Sequence, residues 1–123
     1  MRETKNKNPR IAITVGDPNG IGPEIILKAL LEENRGDVEF ILLGQKALFR
    51  ESAREMISPF DESPEVDFNL LPAFDFDKSN IVFVPLQSFC ANAVTLGEVT
   101  QYGGLIAGES LQKAIHLGKE NQI

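Results

Sequence analysis

Residues 10–15 form an apolar, largely β-branched run, Arg-Ile-Ala-Ile-Thr-Val, which predicts a buried strand. The run breaks into Gly16-Asp17-Pro18-Asn19-Gly20-Ile21-Gly22, a composition that predicts a turn. From Pro23 a helix is predicted to about Asn34. Proline suits the first helical position, where its missing N–H has no intrahelical partner, and Glu24 suits the positive end of the helix dipole. Ile25, Ile26, Ala29 and Leu30 are predicted to share its inward face. Residues 38–43 read as a second buried strand ended by Gly44. Residues 45–57 read as a helix with Leu48, Phe49, Ala53, Met56 and Ile57 turned inward. This β-α-β-α order predicts a parallel sheet covered by helices.

Between residues 58 and 79 the periodicity is lost among Pro59, Pro64, Pro72 and the carboxylates Asp61, Glu62, Glu65, Asp67, Asp75 and Asp77. Surface loops are expected there, around one short strand near residues 66–71, with the acidic side chains forming a solvated face. Residues 80–86 resume as a strand bounded by Pro85, and residues 87–99 read as a loop. A last helix is predicted over residues 100–119, with Gly104, Ala107, Leu111, Ala114, Ile115 and Gly118 on one stripe. Gly103, Gly104 and Gly108 each weaken that helix by about 1 kcal/mol relative to alanine, so close packing of another backbone is expected as compensation.

Composition narrows the class. With 123 residues, 42% hydrophobic and 24% charged, the chain can bury one real core. A net charge of −6 without any Lys/Arg block makes duplex nucleic acid a poor partner. No apolar stretch approaches the roughly 20 residues of a membrane span. Residues 1–9 are polar and basic and no apolar h-region of a secretory signal follows them, so they are expected to be a flexible leader of a cytoplasmic protein. One cysteine, Cys90, and one histidine, His116, give no metal-site spacing. Cys90 is expected to be buried and inert, and His116 to be a surface or boundary residue. A small-molecule ligand is the expectation that remains.

The turn is where such a ligand would bind. Its glycines do not follow the G-x-G-x-x-G dinucleotide spacing, and no lysine follows them as in a nucleoside-triphosphate loop. They can supply positive φ and close approach, while N–H groups beyond Gly22 can receive an anion or a hydroxyl. The Asp17 carboxylate would repel phosphate, and suits the turn's own N–H groups or a ligand hydroxyl. On these grounds alone, a plain strand-to-helix connection explains the residues equally well.

The run Ile13-Thr14-Val15-Gly16-Asp17-Pro18-Asn19-Gly20-Ile21-Gly22-Pro23-Glu24-Ile25 resembles the signature I-T-x-G-D-P-x-G-I-G-P-E of the 4-hydroxythreonine-4-phosphate dehydrogenases of pyridoxal phosphate biosynthesis. A related G-D-G-I-G-P-E marks isocitrate and isopropylmalate dehydrogenases; Pro18-Asn19, in place of a single glycine, favours the first branch. Gly97, Gly103, Gly104 and the helix with Ala107, Glu109, Ser110, Leu111 and Ala114 resemble the family's segment after its third strand.

The resemblance implies a three-layer α/β/α fold with a mostly parallel sheet, of the isocitrate/isopropylmalate dehydrogenase type. Residues 10–123 would be its incomplete amino-terminal part, the rest of the domain and a second domain lying elsewhere. It implies NAD as cofactor, with Asp17, Asn19, Gly20 and Ile21 near its adenosine end. The implied reaction is oxidation and decarboxylation of 4-phosphohydroxy-L-threonine to 3-amino-2-oxopropyl phosphate in vitamin B6 synthesis. A divalent metal would be held by histidines outside this chain, and the full-length protein would be a homodimer. The alternatives are a dehydrogenase of threonate or erythronate phosphate and a catalytically silent piece. No catalytic or metal-binding residue is assigned within the chain.

Overall fold

The computed structural model describes residues 8–33, 36–90 and 94–123. Strand β1 (Arg10–Thr14) leads through the turn into helix α1 (Gly22–Glu33), strand β2 (Glu39–Leu43) and a short helix α2 (Lys46–Ser52). Three 3-10 segments follow, at Arg54–Met56, Ser58–Phe60 and Phe68–Ala73, then strand β3 (Ile81–Val84) and the long helix α3 (Gln101–Lys119). The three strands form one parallel sheet in the order β1-β2-β3, with Arg10 opposite Glu39, Thr14 opposite Leu43, and Leu43 opposite Val84.

Strand alternation divides the core into two layers. Phe40, Leu42, Ile81 and Phe83 join Leu27, Leu30, Leu48 and Phe49 of α1 and α2. On the other face Ile41, Leu43, Val82 and Val84 meet Leu71, Phe76 and Leu117, so α3 and the Phe68–Ala73 segment cover that side. The expected α/β fold, a parallel sheet between helical layers, is what the chain adopts. Burial of Glu39 is balanced by Arg10, whose Nε lies 2.6 Å from Oε1 and whose guanidinium stacks on Phe76 at 4.2 Å.

Several expectations need correction. The inward face of α1 is Pro23, Leu27 and Leu30, while Ile25 and Ala29 are exposed. At 100° per residue, positions 23, 27 and 30 share one side and positions 25 and 29 fall opposite. In α3 the buried positions are Gly103, Ile106, Ser110 and Leu117. The predicted stripe is displaced by one residue, leaving Gly104, Leu111, Ile115 and Gly118 exposed. Helix α2 ends at Ser52, because Ala53 leaves helical backbone at φ −145°, ψ 49°, and a 3-10 turn, Arg54–Met56, follows before Ile57. Leu48, Phe49, Ala53 and Ile57 are nevertheless buried.

No strand forms over residues 66–71. The segment's backbone pairs with β3 at one isolated bridge, Glu65 opposite Phe83, where Val66 N–H donates to Phe83 O and Phe83 N–H donates to Pro64 O, and Phe68–Ala73 then coils into a 3-10 segment that includes Pro72. The acidic residues expected to be solvated are all exposed. The leader expected over residues 1–9 lies mainly outside the described residues, as do the last predicted residue of α1, Asn34, and residues 91–93 of the loop before α3.

Candidate functional site

The turn stands at the carboxyl end of β1, where open parallel sheets present ligand-binding loops. Gly16 takes φ +64°, a left-handed conformation disfavoured for any residue with a Cβ, and this turns the chain out of the strand. Asp17 Oδ1 accepts the Asn19 N–H at 2.9 Å, and Gly20 N–H donates to Asp17 O at 3.0 Å, closing the turn. The Asp17 carboxylate thus accepts one of the turn's own N–H groups, one of the two uses expected of it. Gly20 and Gly22 do not share Gly16's positive φ. A Cβ on Gly22 would lie 3.2 Å from Val15 O, and one on Gly20 would lie 3.4 Å from Asp17 O.

The four expected cofactor residues separate into two kinds. Gly20 and Ile21 form an exposed tip, with Ile21 70% exposed. Asp17 is half-buried and Asn19 is only 2% exposed. Asn19 points inward: its Oδ1 accepts the Thr95 N–H at 2.7 Å and its Nδ2 donates to Thr100 Oγ1 at 2.9 Å. Gly97 N–H donates to Asn19 O at 2.7 Å, and Ser52 Oγ donates to Pro18 O at 2.7 Å. Thr100 also caps α3 by accepting the Gly103 N–H at 3.0 Å.

Below the turn, Ser110 is fully buried and joins two strand ends. It accepts the Val15 N–H and donates to Leu43 O, each at 3.1 Å. Thr95, Thr100, Ser110 and Ser52 were not among the expected site residues. Only Thr100, a threonine preceding a helical run, carried a local cue to its role.

Beside the turn a cavity of about 450 Å³ is lined by Glu24, Ser52, Ala53, Arg54, Met56 and Leu96. At the tip Ile21 presents an apolar surface and Gly20 leaves the backbone open, while the carboxylates of Asp17 and Glu24 disfavour phosphate at the same spot. Among the described residues no group of three or more His, Cys, Asp or Glu side chains could hold a metal ion. No helix among them is long and apolar enough to cross a membrane.

The remaining candidates serve the fold. His116 is exposed and its ring lies 5.5 Å from that of Phe68, in keeping with a surface residue. Cys90, expected to be buried, is exposed. Its peptide is gripped by Tyr102, whose hydroxyl accepts the Cys90 N–H at 2.6 Å and donates to Cys90 O at 3.0 Å, so the peptide is fixed and the thiol side is left outside. Burial pushes the Tyr102 phenol above its ordinary range. The Glu109 carboxylate accepts the N–H groups of Gln87 and Ser88 at 2.7 Å each. Burial acts to raise Glu109, but those bonds and Lys113 outweigh it and hold the group below the usual carboxylate range.

No family model matches the chain. A 4-hydroxythreonine-4-phosphate dehydrogenase of Nostoc sp. is 41% identical over 68 residues, covering 54% of this chain and 19% of the relative. A Pasteurella multocida protein provisionally given the same name is 31% identical over 110 residues, 89% of this chain and 32% of its own length. The D-threonate 4-phosphate dehydrogenase of Salmonella typhimurium is 28% identical over 113 residues, 92% of this chain and 34% of its own. A solved Salmonella typhimurium structure, provisionally named a 4-hydroxythreonine-4-phosphate dehydrogenase, superposes with a TM-score of 0.67 at 28% identity, covering 96% of this chain and 35% of that one. The chain thus spans about a third, or less, of the length of these relatives. The resemblance read from residues 13–25 extends to nearly all of the chain, which by sequence and by fold is a relative of the 4-hydroxythreonine-4-phosphate dehydrogenases.

Proposed function

We propose that this chain is the cofactor-turn portion of a longer NAD-dependent dehydrogenase of a phosphorylated hydroxy acid. Its reaction is the oxidation and decarboxylation of 4-phosphohydroxy-L-threonine to 3-amino-2-oxopropyl phosphate, a step toward vitamin B6. One observation carries the reading: the signature residues form a strand-turn-helix at the carboxyl end of a parallel strand, with Gly20 and Ile21 presented at its tip. Nicotinamide chemistry, when the cofactor is bound, supplies the hydride acceptor. The chain's own part is binding and orientation. Ile21 packs against the adenosine end, Gly20 admits it to the backbone, and Asp17 braces the turn. A divalent metal and the acid/base group belong to residues outside this chain.

A second reading has its own support, because the Salmonella typhimurium D-threonate 4-phosphate dehydrogenase is similar over 92% of the chain. The test is NADH formation by the purified full-length protein with 4-phosphohydroxy-L-threonine and with D-threonate 4-phosphate. Faster turnover of the first supports the proposal, and faster turnover of the second selects the alternative. No NAD reduction with either overturns both.

A further inference from the structure

We propose that Asn19 is a positioning residue that latches the loop at residues 94–100 to the turn and thereby builds the second wall of the cofactor site. The inference rests on reading the turn as a cofactor border. It assigns Asn19 a role other than contact with the cofactor.

Each polar group of Asn19 is engaged within the protein. Its N–H goes to Asp17 Oδ1, its C=O receives the Gly97 N–H, its Oδ1 receives the Thr95 N–H, and its Nδ2 donates to Thr100 Oγ1. The side-chain amide imitates a peptide unit. With its own carbonyl it receives the N–H groups of residues 95 and 97, two positions apart, much as a neighbouring strand would. Leu96 lies between those anchored residues, is 59% exposed, and lines the cavity beside the turn. Asn19 therefore fixes where this apolar shelf stands relative to Ile21. Through Thr100, which accepts the Gly103 N–H, it also fixes the start of α3.

The chemistry explains why asparagine stands here. The Thr95 N–H demands an acceptor, and the Thr100 hydroxyl, which can donate or accept, is met by the amide donor of the same short side chain, itself 98% out of solvent. Aspartate keeps both contacts only by burying a charge, with the Thr100 hydroxyl turned to donate, and alanine makes neither. A buried, fully satisfied amide of this kind specifies one geometry, because any other leaves polar groups unpaired. The spacing of the two walls is thus set before a ligand arrives, so the ordering cost is not drawn from binding.

The test compares Asn19→Ala, Asn19→Leu, Asn19→Asp and Thr100→Ser in the full-length protein, by amide hydrogen exchange without ligand and by steady-state kinetics in NAD. In Asn19→Ala the amides of Thr95, Gly97 and Gly103 should exchange at least tenfold faster while those of Leu42 and Leu43 in β2 keep their protection. The KM for NAD should rise tenfold or more with kcat within twofold. Asn19→Asp keeps the Thr95 acceptor and can take a bond from the Thr100 hydroxyl, so Thr95 and Gly103 should stay protected, and Asn19→Leu, which fills the space without either bond, provides the exchange reading if the alanine variant does not fold. Thr100→Ser, which keeps the hydroxyl, should match the wild type throughout. Unchanged exchange at Thr95 and Gly97 overturns the latch, as does equal acceleration in β2, which would mean a global loss of stability. Loosened loop amides with an unchanged KM overturn its positioning role. Absence of any NAD binding by the wild type overturns the cofactor reading instead, and the latch is then decided by the exchange pattern alone.

Discussion

The Asp17 carboxylate lies against the Cα of Gly103, so that the turn after β1 and the first turn of α3 touch at a point where no side chain fits. A Cβ built on Gly103 would come within 2.8 Å of Asp17 Cγ and 3.0 Å of Oδ2. This contact explains a glycine in the first turn of a helix, where its propensity is poor. Of the α3 glycines expected to admit another backbone, only Gly103 has a close neighbour, and it is a carboxylate side chain instead of a backbone, whereas Gly104 and Gly108 face open space. Gly103→Ala should destabilise the fold by about 1–3 kcal/mol, the usual cost of forcing extra atoms into a packed contact. Asp17→Ala should relieve that clash, so a double-mutant cycle by denaturant unfolding should give a double variant less destabilised than the sum of the single ones.

Ser110 is the polar joint between the ends of β1 and β2. Ser110→Ala leaves the buried Val15 N–H and one lone pair of Leu43 O without their partner, which should cost about 1–3 kcal/mol in urea unfolding. An exposed control in the same helix, Gln112→Ala, should change stability by less than about 0.5 kcal/mol.

Glu109 gives the fold a signature in acid. Its carboxyl is lowered in the folded protein, so its contribution is fully present above the unfolded carboxyl value of about 4.3 and is lost as pH falls through the lower folded value. Glu109→Gln removes that dependence. The stability gap between wild type and Glu109→Gln, followed by thermal unfolding, should be constant near neutral pH and shrink from about pH 5 downward. A gap that widens in acid would reverse the sign of the shift.

What could be read from the chain alone followed the range of the interactions involved. β1, β2, β3 and α3 lie where apolar runs, prolines and glycines place them, because those signals are local. The helix faces were less legible, since Ile25 and Leu27 are equally apolar and only the packed sheet decides which is buried. Helix α2 stops early although its sequence stays helix-compatible, with Ala53, Met56 and Ile57 packed into the core from and beside the 3-10 turn Arg54–Met56. In the site, the turn and its Asp17 bond were visible because they span two residues. The partners of Asn19 were not, because Thr95 and Thr100 are 76 and 81 positions away and no periodicity links them.

The central claim is that the tip of the turn borders NAD, and Gly20→Val in the full-length protein tests it most directly. A Cβ at Gly20 meets only Asp17 O at 3.4 Å and the backbone there is not left-handed, so the substitution is compatible with folding while it places a branched side chain on the ligand side. Isothermal titration of NAD should show the dissociation constant raised about tenfold, equivalent to about 1.4 kcal/mol, with the unfolding midpoint nearly unchanged. An unaltered NAD dissociation constant in a folded Gly20→Val protein would contradict the account and leave the turn as a structural connection alone.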